Sequence, residues 1–234
     1  MSQLPLALRF PRPQRFEHFH AGRANAATLA LLRTTTAAAA PWVLLHGPAG
    51  SGKTHLLLAA CQSAAEAGRR VRYAALGALP APRAEAIAAL AGAELIAIDE
   101  LDVGAGIRDD EQALFDLYNR GRAEGATLLI AARQPPADLP LVLPDLRSRL
   151  GACTRAALRP LDDDERRAVL RERAAARGIE LDDGVLDWLF ARHARDLGTL
   201  TLLLDRIDRA ALAARRRVTV PFLRELLAGT GAER

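Results

Sequence analysis

The sequence contains almost no lysine. Of its 32 lysine and arginine residues, Lys53 is the single lysine. Arginine can replace lysine on a solvated surface, but a compact ammonium reaches between the β- and γ-phosphates of a nucleotide where a planar guanidinium fits poorly. The retention of one lysine therefore indicates a position with a specific chemical requirement.

Cysteine, aromatic residues and long apolar runs are also scarce. The two cysteines, Cys61 and Cys153, have no C-x-x-C spacing, so we interpret them as core thiols in a reducing compartment rather than as metal ligands or a disulfide. Aromatic residues make up 4% of the chain against 50% hydrophobic residues, which predicts a core of Ala, Leu, Val and Ile. No apolar run approaches the roughly 20 residues of a membrane span, and the first residues lack a signal pattern. We expect a cytoplasmic protein.

The excess of positive charge is small and is not concentrated in one part of the chain. The net charge is +4, and residues 161–234 contain 14 arginines against 14 acidic residues. A nucleic-acid-binding arm would concentrate its basic residues. We therefore expect any contact with DNA to be indirect or weak.

Lys53 lies in a phosphate-binding pattern, G-x-x-x-x-G-K-[ST]. Glycines allow positive φ angles and let backbone N–H groups approach phosphate oxygens, while the lysine supplies charge and the threonine offers a hydroxyl to Mg²⁺. An apolar run precedes the loop and a helical pattern follows it, which aims a helix N-terminus at the phosphates. The predicted nucleotide-binding residues are Gly47, Pro48, Ala49, Gly50, Ser51, Gly52, Lys53 and Thr54.

A second pattern supports this site. The apolar residues 95–98 predict a buried strand that ends in Asp99 and Glu100. A parallel strand beside the strand of the loop would deliver Asp99 to the metal. Glu100 would then face the γ-phosphate, where a carboxylate can orient or deprotonate water. On its own, such an acidic pair can also be a helix cap or part of a solvated loop.

The order of patterns predicts an α/β fold: a P-loop core with a parallel sheet flanked by helices, and a small C-terminal all-α domain. Residues 1–22 are predicted to be extended, residues 23–160 to form the nucleotide-binding domain and residues 161–234 the helical lid. In the core the predicted helices are 25–33, 82–91 and 109–124, and the predicted strands start at Trp42, Val71, Leu95 and Thr127. In the lid the helices begin near Asp162, Asp183, Leu197 and Pro221.

Residues 115–120, 143–150 and 218–222, read together with the phosphate loop and the acidic strand end, resemble the AAA+ ATPases of the bacterial replication-initiator branch, in the DnaA/Hda family. The resemblance extends over nearly the whole chain. It implies ADP or ATP as cofactor, with Mg²⁺ held by Thr54 and Asp99.

The resemblance also implies a catalytic role for Arg149, which follows Ser148. In this family the arginine of such a pair resembles an arginine finger, which enters the nucleotide site of a neighbouring subunit and stabilises the transferring γ-phosphoryl group. The implied neighbour is DnaA carrying ATP, and hydrolysis would leave this initiator inactive. The implied function is negative regulation of replication initiation. For Arg147 we favour a surface ion pair.

The start of the chain is similar to the sliding-clamp-binding peptide of this family. Gln3 would anchor one edge of a pocket on the β subunit of the DNA polymerase clamp, and Leu4, Leu6 and Leu8 would fill it. In extended backbone these leucines lie on one side. The bound clamp would also associate the protein with the nucleoid. The alternatives are a tail that packs on its own domain and an ordinary disordered start.

Two positions depart from the family pattern. Ala132 stands at the sensor position after the fourth strand, and Gly198 stands where a lid arginine usually touches the nucleotide. We therefore expect tight ADP binding with weak or absent intrinsic hydrolysis.

Other functions remain open. A helicase loader of the same superfamily shares the loop and the finger but should lack the clamp peptide, and a small-molecule kinase would use Lys53 similarly. A homodimer is also possible. Phe16 and Phe19 could fold onto the core or onto the nucleotide base, and the pattern does not choose between them.

Overall fold

The computed structural model describes residues 14–35, 40–192, 197–214 and 216–228. The chain divides into two compact units, with the boundary between Pro160 and Leu161. Each unit has its own hydrophobic core.

The first unit is built on a parallel sheet of five strands. In chain order these are β1 (Val43–His46), β2 (Val71–Ala75), β3 (Leu95–Asp99), β4 (Thr127–Ala132) and β5 (Thr154–Ala157). Their order across the sheet is β2-β3-β4-β1-β5. Every described pairing is parallel, so the carboxyl ends of all five strands lie along one edge.

Helices cover both faces of this sheet. They are α1 (Ala26–Thr34), α2 (Lys53–Glu66), α3 (Ala84–Ala88), α4 (Arg108–Ala123) and α5 (Pro144–Gly151). Alternate residues of β1 point to opposite faces: Leu44 packs in the cluster with α3, α4 and α5, whereas Val43 and Leu45 pack with α1 and α2. The predicted fold class, a P-loop core with a parallel sheet flanked by helices, is confirmed.

The second unit contains only helices among its described residues. They are α6 (Asp163–Ala175), α7 (Asp183–Arg192), α8 (Leu197–Ala214) and α9 (Val220–Ala228). A capping box begins α6, since Asp162 accepts the N–H of Glu165 and the Glu165 carboxylate accepts the N–H of Asp162. The predicted all-α composition of this region is confirmed.

Three elements differ from the sequence prediction. Helix α3 covers five residues instead of the predicted 82–91, because prolines and turns border it. Strand β5 and helix α5 were not predicted at all. Strand β5 is short and exposes three of its four side chains, so it lacks the apolar run by which the other buried strands are recognised.

No helix among the described residues is long and apolar enough to cross a membrane.

The two thiols should be unreactive in the folded protein. Both cysteines are buried, and burial raises the pKa of Cys61 to about 12 and that of Cys153 to about 11. The reactive thiolate is therefore scarce at pH 8, and its fraction grows only as the pH rises toward these values. We expect a disulfide reagent to modify neither thiol in native protein at pH 8 and both in denaturant. Rapid modification of native protein would contradict the buried placement.

Candidate functional site

The phosphate loop joins the end of β1 to the start of α2, as the sequence predicts. Gly50 and Gly52 have positive φ angles of 74° and 93°, which L-residues with side chains rarely adopt. At Gly47 there is no room for a side chain, because an added Cβ would lie 2.3 Å from the carbonyl oxygen of Leu158. The loop thus brings backbone N–H groups to the positive end of the α2 dipole, an arrangement that binds phosphate.

Lys53 is half-buried and lies over its own loop. Its Nζ donates hydrogen bonds to the carbonyl oxygens of Gly47 at 2.7 Å and Pro48 at 2.8 Å. Burial lowers the pKa of Lys53, although the carboxylates of Asp99 and Asp102 act in the opposite direction. The ammonium is therefore held at the loop with acidic groups close by.

Asp99 ends β3 and is almost completely buried, with 2% of its surface exposed. Its Oδ2 accepts hydrogen bonds from Thr54 Oγ1 at 2.5 Å and from Tyr73 Oη at 3.3 Å, while Oδ1 accepts the N–H of Glu100 at 2.8 Å. Burial and the neighbouring Asp99 raise the pKa of Tyr73, so this phenol keeps its proton and donates. The structure thus brings Thr54 and Asp99 together, as the sequence analysis expects of metal-holding residues.

The residues present fit a nucleoside phosphate with a divalent cation. Ser51 Oγ is buried in the loop and has no hydrogen-bond partner among the described residues, so it is available to a ligand oxygen. The Thr54 hydroxyl and the Asp99 carboxylate are hard oxygen donors. Within the described part of the chain no cluster of three acidic, His or Cys side chains forms a separate metal cage. A magnesium ion that binds mainly through phosphates and one carboxylate needs none.

Glu100 has a different orientation from the one expected. Its backbone is left-handed, with φ 57° and ψ 43°, and its Oε2 accepts the N–H of Gly77 at 3.1 Å. Gly77 lies in the 3₁₀ turn Leu76–Ala78 that follows β2. The carboxylate thus rests at the end of β2 and not over the phosphate loop.

The end of β4 borders the loop. The N–H of Gly47 donates to the carbonyl oxygen of Ala132 at 3.3 Å, and the N–H of Arg133 donates to both carboxylate oxygens of Asp102 at 2.9 Å. Ala132 is fully buried and carries no polar side-chain atom. Gly198, the other departure from the family pattern, lies exposed in the first turn of α8.

Arg149 lies on α5 and is exposed. Its guanidinium is 5.8 Å from the ring centroid of Tyr118, a buried residue of α4. Among the described residues no carboxylate forms a salt bridge with Arg149. The guanidinium therefore lies near an aromatic ring and is available to a partner.

Arg147, two residues earlier, has a different role. Its guanidinium donates hydrogen bonds to four backbone carbonyl groups at 2.7–3.2 Å, those of Pro136, Ala137, Leu139 and Leu141. The expected surface ion pair is wrong: the side chain fixes the segment that leads into α5.

Glu111 was not predicted from the sequence to have a role near the site. It is fully buried, and its carboxylate accepts the N–H groups of Gly106, Val142 and Leu143 at 2.6–3.0 Å. It thereby ties the start of α4 to the start of α5. Its spacing from the buried Leu114 and Tyr118, three and seven residues on, places it on the buried face of α4 and could have identified it.

The two N-terminal phenylalanines have different positions. Phe16 is buried in the core with α1 and α2. Phe19 is partly buried and covers the loop, since an added Cβ on Gly52 would lie 2.6 Å from its ring, and it contacts the ring of His55 with centroids 5.5 Å apart. Phe19 thus shields one side of the phosphate loop.

The proposed clamp-binding residues Gln3, Leu4, Leu6 and Leu8 lie outside the described residues. Their role stays a prediction.

Two family models match the chain. Residues 163–227 match the lid domain of Hda. Residues 23–136 match the family described as novel STAND NTPase 5. The two matches fall in separate compact units.

Solved structures share the fold. Domain III of the Thermotoga maritima replication initiation protein DnaA has a TM-score of 0.75 at 22% identity, over 94% of this chain and 97% of that one. The initiator DnaA bound to AMPPCP and single-stranded DNA has a TM-score of 0.69 at 19% identity, over 83% of this chain and 64% of that one. The Thermotoga maritima RuvB Holliday junction branch migration motor has a TM-score of 0.65 at 17% identity, over 93% of this chain and 72% of that one.

Substitution of Gly47 should abolish tight nucleotide binding. In Gly47→Ala the new Cβ meets the backbone oxygen of Leu158 at 2.3 Å, and backbone cannot yield as a side-chain end can. We expect displacement of the loop and a loss of ADP affinity of about 100-fold, which corresponds to about 2.8 kcal/mol. Isothermal titration calorimetry measures this. Gly151→Ala is the matched control, since its Cβ would have nothing within 4 Å; equal affinities for the two variants would contradict the prediction.

Proposed function

We propose that this chain is an Hda-like AAA+ protein of the DnaA family and a negative regulator of chromosomal replication initiation. With the DNA-loaded sliding clamp it stimulates hydrolysis of DnaA-bound ATP and leaves DnaA in its inactive ADP form. The chain acts in the cytoplasm, and its contact with DNA is indirect, through the clamp.

The observation that carries this proposal is the contrast between Arg147 and Arg149. The guanidinium of Arg147 is occupied by four carbonyl groups of its own domain. The guanidinium of Arg149 is exposed on the same short helix, over Tyr118, without a salt bridge to any described residue. An exposed guanidinium that lies near an aromatic ring and pairs with no described carboxylate suits insertion into the site of a neighbour.

In this proposal the chain also binds a nucleotide in its own phosphate loop. Lys53, Ser51 and the loop N–H groups bind the phosphates of ADP or ATP, and Thr54 and Asp99 hold Mg²⁺. When bound, the metal neutralises charge between the phosphate oxygens. Nucleotide binding stabilises the loop and the residues around it, because a ligand that binds only folded protein favours the folded state.

In this proposal Arg149 acts in trans, on the nucleotide that is bound to DnaA. In the site of DnaA its guanidinium would contact the oxygens of the γ-phosphoryl group, on which negative charge is redistributed as the bond to the leaving oxygen breaks. The planar fork of arginine matches phosphate oxygens and keeps its charge at every physiological pH. Such a finger accelerates phosphoryl transfer by roughly 10³–10⁵.

The N-terminal segment supplies the clamp contact in this proposal. Gln3 anchors the peptide on the β subunit of the clamp, and Leu4, Leu6 and Leu8 are buried in its pocket. Burial of one such side chain stabilises a complex by roughly 1.5–3 kcal/mol.

Arg149→Ala should abolish stimulation. We expect the rate of hydrolysis of DnaA-bound ATP, measured with DNA-loaded clamp, to fall by roughly 10³ or more to the unstimulated level. ADP binding by the variant should stay unchanged, because Arg149 makes no contact with the phosphate loop in the proposal. Arg155→Ala, which removes an exposed arginine from β5 of the same unit, is the control. Equal stimulation by both variants would contradict the role of Arg149 as an arginine finger.

Removal of residues 1–8 should abolish stimulation by a different route. The truncated chain should bind ADP normally and fail to bind the clamp, as measured by surface plasmon resonance on immobilised clamp. Its stimulation of DnaA should vanish as well. If the intact chain bound ADP but gave no stimulation, the function would pass to the helicase-loader class.

A further inference from the structure

Four side chains of the first unit form a row in which two aromatic rings lie between two arginines. The guanidinium of Arg122 lies 5.4 Å from the ring centroid of Trp42, and the guanidinium of Arg149 lies 5.8 Å from that of Tyr118. The centroids of the two rings are 4.5 Å apart. All three distances are typical of attractive contacts between these groups. We call these four side chains the arginine–aromatic stack.

Trp42, which directly precedes β1, is held in place by packing and by a hydrogen bond. Its Nε1 donates to the carbonyl oxygen of Ala126 at 2.8 Å, just before β4. The indole also passes close to Gly121 of α4, because a Cβ added there would lie 3.6 Å from it. Both the polar edge and the apolar surface of the indole therefore have partners within the domain.

Tyr118 packs against this indole in a defined orientation. The planes of the two rings are inclined at 74°, so the edge of one ring meets the face of the other, which is an arrangement that aromatic quadrupoles favour. Tyr118 is buried in the core cluster that also contains Leu146 and Leu150 of α5. Its ring is therefore a fixed surface beside the helix that carries Arg149.

The backbone of Arg149 is held separately from its side chain. Its carbonyl oxygen accepts the N–H of Ala152 at 3.2 Å and the Sγ–H of the buried Cys153 at 3.7 Å. No described carboxylate forms a salt bridge with its guanidinium, whereas the Tyr118 ring lies within cation–π distance. The ring thus favours the rotamers of Arg149 that keep the guanidinium beside it.

Such a contact matters for a residue that acts on a neighbour. An exposed arginine populates many rotamers, and ordering them on docking costs free energy. A group that is already in position for reaction avoids this cost. A guanidinium can stack on an aromatic face while the N–H donors at its edge stay available to phosphate oxygens. The ring can therefore hold Arg149 without blocking its donors.

We propose that Tyr118, itself oriented by Trp42, is a positioning residue for Arg149, whose guanidinium it holds in the conformation that enters the nucleotide site of the neighbour. The inference rests on the proposed function, because it gives Arg149 the same role on DnaA-bound ATP. It adds the ring of Tyr118 as a determinant of the rate, through Arg149 and without contact between Tyr118 and the nucleotide.

Replacement of the ring should slow stimulated hydrolysis without weakening the complex. In Tyr118→Met a flexible apolar side chain fills the space but offers no π face. We expect kcat for hydrolysis of DnaA-bound ATP, measured with DNA-loaded clamp, to fall about fivefold. The concentration of this chain that gives half-maximal stimulation should stay unchanged, because an arginine finger acts in the transition state. Tyr118→Phe keeps the ring and should retain the wild-type kcat.

Two outcomes of this assay overturn the proposal. One is an equal kcat for Tyr118→Met and Tyr118→Phe at equal ADP affinity and equal Tm. The other is a higher half-maximal concentration for Tyr118→Met with an unchanged kcat, since the ring would then support only the docking surface.

A second measurement needs neither DnaA nor a change at Tyr118. In the nuclear magnetic resonance spectrum of the intact chain, Overhauser contacts should connect the ring protons of Tyr118 with side-chain protons of Arg149, whose signals are identified by their loss in Arg149→Ala. Arg155, for which the described residues provide no ring contact, is the internal control and should show none. Absence of the contacts from Arg149 would refute the proposal even if Tyr118→Met did not fold. If the intact chain failed to stimulate hydrolysis, the proposed function would fail, and this measurement would still decide whether the ring holds Arg149.

Discussion

The buried carboxylate of Asp99 holds the functional edge of the first unit together. A carboxylate removed from water is costly unless its oxygens accept hydrogen bonds, and here the donors come from three different places in the chain. Thr54 belongs to α2, Tyr73 to β2, and the N–H of Glu100 follows directly. One desolvated group therefore fixes the start of the helix after the loop, the edge strand and the left-handed turn after β3.

The segment before α5 is held in a similar way, by charges that bind backbone instead of one another. The carboxylate of Glu111 accepts N–H groups where α5 begins, and the guanidinium of Arg147 donates to the carbonyl groups just before them. The anionic Glu111 thus binds backbone N–H groups of this segment, and the cationic Arg147 binds its backbone carbonyl groups. The polar backbone is therefore hydrogen-bonded without regular secondary structure. A short helix such as α5 has little stability of its own. These two side chains, together with the aromatic ring of Tyr118, give Arg149 a rigid base.

The parts of the site that the sequence predicted are those that depend on local chemistry. Glycine, lysine and threonine in fixed spacing specify the loop because each residue acts through its own backbone or side chain, and Asp99 follows from an apolar strand. The parts that were missed depend on distant partners. The residues next to Arg147 in the sequence did not indicate that its guanidinium would bind backbone carbonyl groups. The direction of Glu100 depends on Gly77, 23 residues earlier in the chain, and nothing in the local pattern of either residue reveals the other.

The single lysine has a practical consequence for chemical modification. Apart from its α-amino group, the chain offers one alkyl amine, and in the structure that amine is half-buried and bonded to the carbonyl groups of Gly47 and Pro48. Acylating reagents and amine cross-linkers, which elsewhere scatter over a protein surface, have one side-chain target here, inside the loop. The extent of acylation at Lys53 therefore reports how much of the loop is occupied. Amine-directed immobilisation, for the same reason, leaves the arginine-rich outer surface unmodified.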